Sequence, residues 1–212
     1  MNYLMHLLVA QSVDPAADPA YHFGAMWPDL SRGWGVPLSC SDIPASAFRA
    51  GIDLNTLTNR SWAEMPAFNE LHQSLEQLIW DTVPDLNADI VNAWSTAGVE
   101  LLLDGYAYQL VHDAFMTLLA HCGTGALGLG ELPSALRAQM AHAAVMHNLH
   151  DYRNPCVVGL RARHHFADTP GLSVHNEQLP GLTEAFRSQQ HSVLQSAPDI
   201  VEHLRDTLCV SV

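Results

Sequence analysis

Apolar residues recur along this chain at helical spacing, and runs of alternating β-branched residues bounded by turns are missing, which predicts an all-α protein. The clearest amphipathic stretch is 66–83, PAFNELHQSLEQLIWDTV, with Phe68, Leu71, Leu75, Leu78 and Ile79 three or four apart. The stretch 98–122, GVELLLDGYAYQLVHDAFMTLLAHC, is apolar on nearly every side, as expected of a helix buried in a core. A short helix is predicted over 3–11 and another over 21–30, which Pro28 should kink or end just before Asp29. The Gly-, Pro- and Ser-rich stretch 33–44 reads as a loop, and a third helix follows from about Pro44 to Leu57. A short helical segment over 85–95 precedes the central helix, and 123–130, GTGALGLG, is a connector. Beyond it come a long helix over 133–152, a segment over 157–166, and two closing helices over 182–195 and 198–209, the last started by Pro198. These elements make one domain over 1–212, a helical bundle.

Polar residues inside the apolar stretches are the candidates for chemistry. Glu100, Asp104, Tyr108 and His112 interrupt the central helix at a strict spacing of four, so they share one stripe. Carboxylates are rarely buried without a partner or an ion. The stripe is a hydrogen-bonded polar seam, one wall of a metal or acid–base site, or a solvent-facing stripe, which the apolar flanks count against; Asp104, Tyr108 and His112 are its catalytic candidates. Asn55 and Asn59, four apart in the third helix, imply a tertiary role or a local break, because Asn prefers caps and turns. In the helix over 133–152, His147, His150 and Asp151 have spacings that let two ligands meet one ion. Arg161, Arg163, His164 and His165 form a compact cationic cluster, suited to an anion or to a solvated helix end.

Charge narrows the function. The chain has 212 residues, a formal charge of -13, nine Arg and no Lys. Nucleic acid and anionic membranes need clustered positive charge and are disfavoured as partners. Lysine chemistry is excluded outright. Thirteen His in an acidic chain suggest metal binding or acid–base work. The four Cys show no CxxC pairing and read as free thiols of a reducing compartment, so a cytoplasmic location is expected.

Several segments come in an order that resembles the acyl carrier protein phosphodiesterase family, a divergent branch of the HD-type metal phosphohydrolases. Met1-Asn2-Tyr3-Leu4-Met5-His6-Leu7 resembles the family's opening, and the segment from Phe23 through Asp29 to Arg32-Gly33 its second motif. Ala50-Gly51-Ile52, with Pro66 at the matching distance, resembles the start of the third-helix motif. Leu103-Asp104-Gly105-Tyr106 and Ala197-Pro198-Asp199-Ile200 resemble two later ones. The resemblance implies an HD-like helical fold. It also implies a divalent ion (Mn, Fe or Zn) with His6, Asp29 and Asp104 as ligands; Glu100, His112 or the His147, His150 and Asp151 group are our candidates to complete the site. Three positions depart from the pattern: Asn55 and Asn59 stand where the family has His and Asp, and Gly105 where it has His.

Three readings follow. One is a metal-dependent hydrolase of a small phosphoester, a phosphodiesterase in the broad sense. Another is a metal-free, catalytically degenerate binding or interaction protein. The third is an iron-dependent oxygenase of the HD type. Acyl carrier protein is itself acidic, so a chain at -13 disfavours it as the substrate. The sequence leaves the oligomeric state open.

Overall fold

A computed structural model describes residues 3–36 and 43–209. The described residues form eight α-helices and no strand. They are α1 (Tyr3–Val13), α2 (Pro19–Trp34), α3 (Ala47–Ala63), α4 (Pro66–Thr82), α5 (Ala88–Thr124), α6 (Ser134–Met146), α7 (Pro155–Phe166) and α8 (Leu179–Cys209). None of the described helices is long and apolar enough to cross a membrane. Cys40 and part of the predicted loop over 33–44 lie outside the described residues.

The helices divide into two compact units. One takes its residues from Met1–Trp62, Gln109–Leu149 and Val201–Val212, the other from Ala63–Tyr108 and His150–Ile200. In the first unit α1 packs on α2. α1 is buried nearly all round, through Leu4, Met5, His6, Leu7 and Val9. Phe23 and Trp27 of α2 meet Phe48 of α3, with ring centroids 6.2 and 5.9 Å apart. Each such side chain contributes about 1.5–3 kcal/mol by leaving water. α2 and α3 cross at glycines. A Cβ on Gly51 would overlap the Tyr21 carbonyl oxygen, and one on Gly24 the Phe48 carbonyl oxygen. Only glycine lets two helix backbones approach this closely.

In the second unit, Phe68, Leu71, Leu75 and Ile79 bury the predicted face of α4. Gln189 of α8 is fully enclosed and ties that helix to α4. Its amide donates to the Leu71 carbonyl at 3.1 Å, and its oxygen accepts from the Ser74 hydroxyl at 3.0 Å. The Trp94 indole donates to the Leu172 carbonyl at 2.9 Å.

α3 runs on to Ala63, past the expected end at Leu57, and the helices differ from the sequence expectation at four further places. α2 runs through Pro28 to Trp34 instead of ending before Asp29. Proline removes one backbone donor and leaves the Gly24 carbonyl without its usual partner. At this interruption the Asn55 side chain donates to the adjacent Ala25 carbonyl at 2.8 Å, supporting the helix from outside. Likewise α8 is one helix through Pro198, with buried Val193, Ala197, Ile200 and Leu204 at helical spacing on both sides. The segments over 85–95 and 98–122 join into α5, because no proline interrupts them. α6, in contrast, stops at Met146, and residues 147–151 are not helical.

The α2–α3 crossing is directly testable. Gly51→Ala should lower stability by about 1–3 kcal/mol, because the added methyl must push two backbones apart. Urea denaturation followed by circular dichroism measures this. A variant as stable as the parent would show that the helices are not in such close contact.

Candidate polar site around Asp29

His6, Asp29, Asn55 and Asn59 come together inside the first unit, on α1, α2 and α3. His6, Asp29 and Asn55 are all buried. The Asn55 amide that supports Ala25 also donates to Asp29 Oδ2 at 3.3 Å. Asn59 Nδ2 donates to Asn55 Oδ1 at 2.9 Å. Arg32, one helical turn beyond Asp29, places its guanidinium on Asp29 Oδ1 and donates from Nε to the Pro28 carbonyl at 3.1 Å. His6 Nε2 lies 3.5 Å from Asp29 Oδ2, long for a hydrogen bond, and has no hydrogen-bond partner. The cluster is thus a chain of donors, Asn59 to Asn55 to Asp29, closed by Arg32.

The electrostatics follow from burial. Burial pushes the His6 imidazole down to about 4, against the opposing pull of Asp29 and of the Asn59 side chain. His6 is therefore neutral at pH 7. Burial alone would raise the Asp29 carboxyl, but nearby positive charge, to which Arg32 is a minor contributor, outweighs it and holds Asp29 below the usual carboxylate range. An ionised carboxylate beside a neutral imidazole and a guanidinium is the resting state.

The donor set fits a divalent ion poorly. One Asp29 oxygen carries the guanidinium and the other the Asn55 amide. The Asn55 oxygen, its only metal-ligating atom, already accepts from Asn59. A carboxamide is neutral and a weaker ligand than the imidazole or carboxylate that the resemblance places at these positions. Among the described residues, no three of His, Cys, Asp and Glu form a group able to hold a metal.

Glu100, Asp104 and Tyr108 are on α5 in the second unit, whereas His112, on the same helix, falls in the first. Asp104 is fully buried; Glu100, Tyr108 and His112 are half-buried. His112 Nδ1 lies 2.9 Å from Asp113, its neighbour in the chain. Gly105 follows Asp104 for a steric reason. A Cβ there would stand 2.6 Å from the Tyr152 carbonyl oxygen, so backbone occupies the space that a histidine needs.

His147, His150 and Asp151 do not share a helix face, because α6 ends before them. His147 belongs to the first unit and sits among Tyr3, Phe115 and Trp34, with ring centroids 5.5–5.8 Å from its own. The Trp34 indole donates to its Nδ1 at 3.0 Å, which leaves the proton on Nε2, 3.5 Å from the Tyr3 hydroxyl. Asp151, in the second unit, is held bidentately by Arg153, with both N–O distances 2.7 Å, and this contact keeps its carboxyl below the usual range. The same guanidinium lies over the Tyr108 ring, 4.8 Å from its centroid.

Arg32 and Trp34 are among the residues of these clusters that the sequence reading does not name as site residues. Arg32 stands three residues after Asp29, an ion-pair spacing visible once the helix is known to pass Pro28. Trp34 fell within the predicted loop and carried no sequence signal. No protein-family model, curated protein or solved structure matches the chain.

Two outcomes test the site. His6 has a folded pKa below its unfolded value, so its contribution is complete above about pH 6.5 and is lost as the pH falls towards 4. Between pH 7 and 4.5 this group should remove about 2–3 kcal/mol of stability. His6→Gln should flatten that part of the pH–stability curve, and an unchanged slope would contradict the burial of a neutral imidazole. At the second position, Gly105→His should destabilise the protein by at least about 1–3 kcal/mol in the same denaturation assay. A histidine tolerated there would mean that the Tyr152 backbone does not close over Gly105.

Proposed function

We propose that this chain is a metal-independent binding protein, built on a helical shell of the HD phosphohydrolase type that no longer assembles the metal centre. The carrying observation is the coordination of Asp29. Arg32 and Asn55 occupy both carboxylate oxygens, the roles that a divalent cation and its flanking ligands would take. A guanidinium supplies fixed positive charge but has no open coordination position, so it cannot activate a water by ligation as an ion does. The hydrolase and the iron-oxygenase readings lack the histidine and aspartate that the resemblance places where Asn55 and Asn59 stand. Of the three readings, the binding protein needs nothing that the cluster lacks. Its ligand is a small molecule; an acidic carrier protein is disfavoured by the charge of -13.

The test restores the missing donors. By calorimetry at pH 7.5, the parent protein should take up no Mn2+ tighter than millimolar. Asn55→His combined with Asn59→Asp should gain at least tenfold in affinity for Mn2+, because an imidazole and a carboxylate then face Asp29. Micromolar Mn2+ binding by the parent, abolished by Asp29→Ala, would overturn the proposal and return the hydrolase reading.

A further inference from the structure

The second unit contains a cavity of about 310 Å³ lined by His150, Val157, Leu160, Arg161 and His164. Three of its five lining residues are basic and none is acidic. In a chain with 22 Asp and Glu and nine Arg, that is an unusual wall. Arg32, Arg49, Arg153, Arg187 and Arg205 all pair with carboxylates. Among the described residues Arg60, Arg137, Arg161 and Arg163 have no acidic partner, and of these four Arg161 alone is half-buried. The folded chain therefore gathers like charges and leaves them unneutralised. The cost is visible at His150, whose imidazole is held below its usual range by burial and by the nearby Arg161 and His164. An anion in the cavity would offset the positive charge that bears on His150.

We infer that this cavity binds a small organic phosphate, with Arg161, His164 and His150 on the phosphoryl oxygens and Val157 and Leu160 against the organic group. A single carboxylate would be satisfied by the guanidinium fork alone. Three converging donors match the several acceptor oxygens and the greater charge of a phosphate monoester. A neutral imidazole still offers one N–H, so each histidine donates without needing a second proton. Leu160 is 60% exposed, a large apolar surface at the cavity wall with no protein cover. A volume near 300 Å³ is at the small end of ligand sites, which suits a compact phosphate ester and not a nucleotide-sized cofactor.

This inference supplies a ligand class for the binding reading and is tested apart from it, since the residues around Asp29 take no part. The probes are inorganic phosphate and phenyl phosphate, titrated calorimetrically into the full chain at constant ionic strength with chloride as the background anion. Phenyl phosphate should bind at least tenfold more tightly than phosphate. Arg161→Gln and, separately, the exposed-site variant His164→Gln should each weaken it at least tenfold, while Arg163→Gln, outside the cavity lining, should leave it unchanged. Circular dichroism establishes that each variant is folded, and His164→Gln decides the matter if Arg161→Gln is not. No saturable binding of either probe, or equal losses in Arg163→Gln and His164→Gln, would overturn the inference. Mn2+ uptake at Asp29 with phosphate binding intact would refute the metal-free reading and leave this one standing.

Discussion

A buried carboxylate has to be compensated, and the arrangement of the first unit follows from how this is done for Asp29. Arg32 reaches it from the next turn of α2, with most of its own side chain in solvent. The screened guanidinium alone is a weak anchor. The Asn55 amide adds a buried hydrogen bond from α3, and Asn59 fixes the orientation of that amide. These contacts need α3 close against α2, which the Gly24 and Gly51 crossing provides. Helix approach, carboxylate compensation and the support of α2 at Pro28 are thus one arrangement, joined through Asn55.

The same arrangement explains what a substitution of ligands does chemically. An imidazole and a carboxylate at 55 and 59 would add lone pairs and negative charge around Asp29, which calls for a cation. Two carboxamides bring donors as well as acceptors, and they satisfy one another and Asp29 without an ion. His6, already desolvated, then remains neutral beside them. On the proposed reading the polar cluster is structural, and binding of external molecules falls to surfaces where charge is left uncompensated. The basic cavity on α7 is such a surface, in a chain whose overall charge is strongly negative.

Much of the helical content was legible from spacing. The face of α4 is the one the apolar residues marked, and the two Asn in α3 have the tertiary role that their low helix preference implied. Pro28 and Pro198 end no helix but sit inside continuous ones, since one lost backbone bond is small against the packing of both flanks. Histidine spacing was over-read. His147, His150 and Asp151 looked like one ligand face only while the helix was assumed to reach Tyr152. The partition into two units left no mark in the sequence, because α5 and α8 contribute residues to both without a break in pattern. The cavity on α7 was half visible. Arg161 and His164 stood out as a cationic cluster, but His150 joins them only through the folded path of residues 147–154.

Elemental analysis of the protein as purified, and again after chelation and refilling with Mn, Fe or Zn, tests the central claim most directly. The compensation of Asp29 by Arg32 and Asn55 predicts well under one equivalent of any transition metal at both stages. One equivalent of a metal, removed by chelation, restored by refilling and absent from Asp29→Ala, would contradict it.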